Sequence, residues 1–151
     1  MKRLLYGVIL ATVLLIPNQG TDVGKLIPVE VIAVSESENG VTVRTDTEDT
    51  GAGATLAEAF RDLEDTAPGM IYLDTAEYLI IETGSEELLG ELNGYLKKSI
   101  RVCKGAEELP LTGVADYLSA HQPDRKLGKI EEYSQIPELR EENGRYLLLE
   151  K

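Results

Sequence analysis

The sequence predicts an α/β fold, with α+β as its near neighbour: a mixed sheet, about three helices and a single domain behind an amino-terminal signal or anchor segment. Three observations carry this expectation. Apolar β-type runs and helical repeats follow one another from Ile27 to His121 as strand, strand, helix, strand, helix, strand, helix, an order that favours stacked layers with part of the sheet parallel. Turn dipeptides, Asn39-Gly40 and Asn143-Gly144, punctuate the strand signals. The chain also has 151 residues, 42% hydrophobic and 28% charged, the balance of one globular core.

Lys2 and Arg3 precede an uncharged, mostly apolar run from Leu4 to Ile16 and a polar exit from Pro17 to Gly20, which is the order of a secretory signal. This thirteen-residue run spans roughly 20 Å as a helix, short of a ~30 Å hydrocarbon core. A full transmembrane anchor is therefore the weaker reading. The exit offers only Asn18 and Gly20 as a small-residue pair, so cleavage and retention as a short anchor both stay open. No cysteine near residue 20 is present to take a lipid. Residues 1–20 are expected to be the signal or anchor, 21–122 the α/β domain, and 123–151 a charged tail with a closing hairpin.

Ile27 to Val34 reads as a first strand, with Pro28 suited to its start. Val41 to Thr45 alternates as a second strand, and Asn39-Gly40 before it predicts a tight hairpin turn with positive φ angles. Asp46, Glu48 and Asp49, then Gly51 and Gly53, read as an acidic, glycine-marked loop leading straight into a helix. Thr55 to Glu58 is a capping box, and Leu56, Ala59, Phe60 and Leu63 recur at helical spacing until Pro68-Gly69. Met70 to Leu73 and Tyr78 to Ile81 predict one interrupted strand or two short ones, with Tyr78 to Glu82 as the core strand. Ser85 predicts the cap of a second helix, Glu86 to Lys98, weakened by Gly90 and Gly94. Ile100 to Cys103 is expected as a short strand and Thr112 to His121 as a third helix. Lys126 to Tyr133 is charged and only weakly amphipathic, while Ile136 to Leu139 and Tyr146 to Leu149 flank Asn143-Gly144 as a closing hairpin. Pro137 is expected to confine the first arm to an edge.

Charge and composition narrow the function. Fifteen Lys plus Arg against 27 Asp plus Glu give a net charge of −12, which repels phosphate backbones, so no nucleic-acid partner is expected. One cysteine and one histidine supply neither an internal disulfide nor a structural zinc site. Gly51, Gly53 and Thr55 at a helix mouth offer amides to an anion, but Leu56 breaks the dinucleotide fingerprint, no phosphate-loop lysine follows, and loop-to-helix capping is the better reading. His121 is the only imidazole, so any serine or cysteine nucleophile with a histidine base must use it; Cys103 is the one thiol, and its apolar strand context suits an inert thiol better. Asp46, Glu48 and Asp49 could bind calcium, but their spacing matches no EF-hand loop, and a solvated acidic turn is the better reading. Asp74 with Glu77 could act as an acid–base pair, but 27 acids bring some together by chance. Seven tyrosines without tryptophan give little material for sugar stacking.

The stretch Gly53-x-Thr55-Leu56-x-Glu58-Ala59, then Leu63, Tyr78 to Ile81, Glu86-Glu87-Leu88 and the helix to Leu96 resembles the amino-terminal domain of the Ger(x)C family, the C subunits of bacterial spore germinant receptors. In that family a similar helix leads to a strand, a helix opening with acids, and a strand like Ile100 to Gly105. The resemblance covers roughly Ile27 to Ala120 and implies an extracytoplasmic, non-enzymatic module at a membrane in a spore-forming Gram-positive bacterium. The expected function is thus a small exported binding or assembly module linked to spore germination or sporulation, with a membrane protein as partner. No cofactor, metal or catalytic residue is expected, and the small ligand, if there is one, is unidentified. The alternative is a secreted hydrolase or small-ligand-binding protein using the loop 46–53.

Overall fold

The computed structural model describes residues 23–106 and 108–150; the expected signal or anchor run, Leu4 to Ile16, lies outside the described residues. The first apolar run divides into β1 (Leu26–Pro28) and β2 (Val31–Ser37) where a single strand is expected. Side chains take the amides that a continuous strand would have used. Val29 N–H donates to Thr75 Oγ1 at 3.1 Å, and the N–H groups of Glu30 and Val31 both donate to Asp46 Oδ1, at 3.1 and 3.2 Å. The chain therefore turns at Val29 and Glu30, and Pro28 ends the first strand rather than starting the second.

Strands β3 (Gly40–Thr45) and β4 (Thr50–Gly53) follow, then helix α1 (Leu56–Thr66), β5 (Met70–Tyr72) and β6 (Tyr78–Glu82). A four-residue helix α2 (Leu89–Leu92), β7 (Arg101–Gly105), α3 (Val114–Ala120), β8 (Glu138–Glu142) and β9 (Arg145–Leu149) complete the described elements. Seven strands make one mixed sheet in the order β4-β3-β2-β6-β7-β8-β9, and β1 pairs with β5 in a separate two-stranded sheet. The central run β2-β6-β7-β8 is parallel, and an antiparallel extension closes each side. The expected α/β class, mixed sheet and three helices are what the structure has.

Alternation along the strands divides the core between two faces. Ile32, Val34, Leu79, Ile81 and Val102 face α1 and the α2 segment, meeting Leu56, Phe60, Leu63, Leu88, Leu92 and Leu96. Val31, Ala33, Tyr78, Ile80 and Cys103 face α3, meeting Val114 and Leu118. Strand β6 is buried along its whole length, as a central strand covered on both faces must be. After α3 the chain passes the side of β7, where Lys126 bridges Arg101, and returns to the first face with Leu127 and Ile136.

Several local expectations need correction. The β2–β3 turn consists of Glu38 and Asn39, since Ser37 pairs with Gly40. Of the two expected turn residues only Gly40 has a positive φ, 122°, and a Cβ there would lie 2.3 Å from the Gly53 carbonyl oxygen. The loop expected to reach the first helix unbroken is a strand from Thr50 on. The helix expected over Glu86 to Lys98 is a 3-10 turn (Glu86–Leu88) running into α2, which stops at Leu92. Gly90 and Gly94 remove the side-chain support that a longer helix would need. Ser85 stands at the N-cap of the 3-10 turn, as expected, but its hydroxyl makes no capping bond; its Oγ accepts the Glu36 N–H at 2.7 Å. Pro137 confines nothing to an edge: β8 is flanked by β7 and β9, and Pro137, one residue before the strand, contributes only its carbonyl to Lys104 N–H, at 2.8 Å. The third helix starts at Val114, behind Gly113 with φ 80°.

Candidate functional site

The glycine-threonine mouth of α1 is packed rather than open. A Cβ on Gly51 would sit 2.2 Å from the Ala59 carbonyl oxygen, and one on Gly53 would sit 2.4 Å from the Glu58 Cβ, so both glycines let the helix backbone rest on β4. Thr55 Oγ1 accepts the Glu58 N–H at 3.3 Å, Glu58 Oε2 accepts the Ala54 N–H at 2.9 Å, and Asp62 Oδ2 accepts the Ala52 N–H at 2.9 Å. The neighbouring amides of Ala52 and Ala54 are thus spent on the protein's own carboxylates, and that of Glu58 on the Thr55 hydroxyl. These bonds also satisfy the outer edge of β4, which would otherwise invite another strand.

The acidic turn is used in the same way. Asp46 binds the Glu30 and Val31 amides, and Asp49 Oδ2 accepts from Thr47 Oγ1 at 2.7 Å. Glu48 is exposed, in the left-handed region at φ 68°. Among the described residues no three His, Cys, Asp or Glu side chains converge as a metal site. Asp74 and Glu77 are both exposed. Cys103 is fully buried, and burial alone pushes its thiol up to about 12. His121 is exposed, stacked on Tyr117 with ring centroids 4.4 Å apart, and its Nδ1 lies 3.2 Å from the Tyr117 carbonyl oxygen. The two are not joined as a nucleophile and its base.

A charged pair absent from the sequence reading lies on the α3 face. The Glu82 carboxylate, 2% exposed, pairs with the Arg44 guanidinium from two strands away. Its second oxygen accepts the Glu108 N–H at 3.4 Å, and Arg44 also donates to the Leu109 carbonyl at 3.2 Å. Both partners bond the loop that leaves β7, so the pair pins that loop across the sheet. A buried carboxylate needs this compensation, and the arrangement reads as a structural clasp.

The hollow best walled by separate elements lies on the other face. Glu86, Leu89, Gly90 and Asn93 form one wall, Leu127, Ile130, Glu131 and Tyr133 the other, around about 270 Å³. A larger hollow of about 450 Å³ beside Met70 is bounded only by Glu64, Met70 and Ile71 and is correspondingly less shaped. In the first groove Leu89, Leu127 and Ile130 supply apolar surface, while Glu86 and Glu131 supply charge. Among the described residues neither carboxylate is in an ion pair. Tyr133 carries the Lys104 ammonium 4.5 Å from its ring centroid. Burial, reinforced by the Glu86 and Glu138 carboxylates, pushes its phenol up to about 12, so the hydroxyl stays protonated. A Cβ added at Gly90 meets nothing within 4 Å, which leaves the groove open above that residue.

No protein-family model, no curated protein and no solved structure matches the chain. Chemically, the groove offers an apolar floor for a stem and two carboxylates for a cation, and it sets no nucleophile beside a base. Sequence reasoning missed it because its walls lie about forty residues apart in the chain. The one local hint was Gly90, a glycine without a turn to make inside a helical pattern.

Proposed function

We propose that the protein is an exported, non-enzymatic binding or assembly module that works against a membrane partner, with a role in spore germination or sporulation of the kind the Ger(x)C resemblance implies. The observation that carries the binding part is the groove between α2 and the 127–133 segment. Among the described residues its carboxylates lack ionic partners, and its shape is a trough rather than an enclosed pocket, which suits contact with another surface better than turnover of a small substrate. The membrane part is supported by Lys2, Arg3 and the apolar run Leu4 to Ile16. Among the described residues no helix is long and apolar enough to cross a membrane, so on this reading any tether belongs to that run.

Fractionation of the native cell, in growth and during sporulation, with mass determination of the recovered chain, tests the reading. Recovery with the spore or cell membrane is the expected result, and the mass states whether the run is retained. A full-length chain recovered from cytosol would overturn both the export and the membrane partner.

A further inference from the structure

We propose that the groove between α2 and the 127–133 segment receives a lysine or arginine side chain projecting from a partner protein. The inference rests on the binding reading above and names its chemistry. Leu89, Leu127 and Ile130 line the trough and suit the methylene stem that basic side chains bury while keeping their charge in water. Glu86 and Glu131, one on each wall, are without an ionic partner among the described residues, so a cation entering between them meets two uncompensated charges. The protein's own Lys104 already places an ammonium on the Tyr133 ring. That ammonium lies on the Tyr133 ring and pairs with neither Glu86 nor Glu131 among the described residues, so both carboxylates stay available to a second cation.

The occupant is a side chain on a protein rather than a free amine. At about 270 Å³ the space falls just below the roughly 300–1,000 Å³ of small-molecule sites. Its opening above Gly90 would leave much of a free ligand wet. A chain segment lying across the mouth would bury that rim while one basic residue dips in. The net charge of −12 adds long-range attraction for a basic partner and speeds encounter more than it fixes position.

The test is fluorescence anisotropy of a labelled, end-capped Leu–Lys repeat peptide titrated with the full chain. The variants are Glu86→Gln/Glu131→Gln, Gly90→Phe, and a control pair, Glu141→Gln/Glu142→Gln, which removes equal charge from the exposed β8–β9 hairpin. The expected result is saturable binding, weakened roughly tenfold by the groove pair, as two partly exposed ion pairs would give. Gly90→Phe should abolish it and the hairpin pair should change it less than about twofold. Because a Cβ at Gly90 meets no neighbour, Gly90→Phe adds a ring at the groove wall, and a thermal melt equal to that of the natural chain shows that the fold is kept. Equal weakening by the hairpin pair would overturn the proposal by showing a diffuse field effect, as would wild-type binding by Gly90→Phe. Competition by free n-butylamine at the peptide's own concentration would also overturn it, in favour of a small-amine site. Binding of a Leu–Glu peptide in place of the Leu–Lys one would overturn the charge assignment while leaving the binding-module reading standing, and membrane recovery decides that reading separately.

Discussion

Cys103 sits on the central strand β7 with no exposed surface, and desolvation raises its thiol from an ordinary value of 9.0 to about 12. The consequence for stability has a definite sign. Below about pH 9 the thiol is protonated in both folded and unfolded chains and contributes nothing to the pH dependence. As pH climbs from 9 towards 12 the unfolded chain releases its proton first, so stability falls. Between about pH 8 and pH 11 this one group removes on the order of 2–3 kcal/mol. Urea unfolding at the two pH values should therefore show Cys103→Ala losing less stability on alkalinisation than the natural chain. An identical loss would place the alkaline sensitivity elsewhere, with Tyr133 the next group, since its phenol is also pushed up to about 12. The inert, buried thiol was legible from its apolar strand context. The Arg44–Glu82 pair was not, because nothing local marks a glutamate at a strand end as buried until the strand order places an arginine two strands away.

Among the elements, α1 and β4 separate what sequence shows from what packing decides. The helix was legible: its capping box, apolar spacing and terminating Pro68-Gly69 act within a few residues, and the structure has all three. One detail differs, since Glu58 reaches back to the Ala54 amide, one residue before the Thr55 cap. Strand β4 was illegible because Thr50, Gly51, Ala52 and Gly53 carry no hydrophobic alternation. Its extended form comes from the β3 register and from the helix pressed on it. Glycine accordingly has opposite roles in two elements. Gly51→Ala would drive a Cβ into the Ala59 carbonyl and the Leu63 backbone and should cost about 1–3 kcal/mol or more, as overpacking does. Gly90→Ala meets open space and should stabilise by up to about 1 kcal/mol through helix propensity. Thermal unfolding of the two variants checks both signs. Stabilisation by Gly51→Ala would refute the close helix–strand approach. The two Asn-Gly turns divide along the same line: Asn143 and Gly144 have φ of 55° and 74°, as their hairpin demands, whereas Gly40 is the first residue of β3, paired with Ser37, where only a residue without a Cβ clears the Gly53 carbonyl.

At the scale of the whole molecule the sheet was readable in class and in sequence of elements, because alternation of strand and helix signals constrains how layers stack. Its order was not, since the return of the chain beside β7 and the place of β8 between two neighbours depend on long-range pairing. The closing hairpin, expected within a charged tail, is joined to the seven-stranded sheet through β7. Its outer strand, β9, exposes Leu147 and Leu149 at 41% and 42%, yet its edge is partly closed by α3, where the Tyr117 hydroxyl accepts the Leu148 N–H at 2.9 Å. The opposite margin of the sheet is closed by the α1 carboxylates. With the two edges managed in this way, the groove on the α2 face is a hollow in which apolar side chains and two carboxylates without an ionic partner among the described residues meet. We propose that this groove is where the protein meets a partner. Its most direct test is a photo-crosslinking residue placed at Asn93 in the native cell, compared with one at Glu64 on α1. A discrete membrane-fraction adduct from position 93, absent from position 64 and lost in Gly90→Phe, is the predicted result. No adduct from position 93, or the same adduct from both positions, would contradict it.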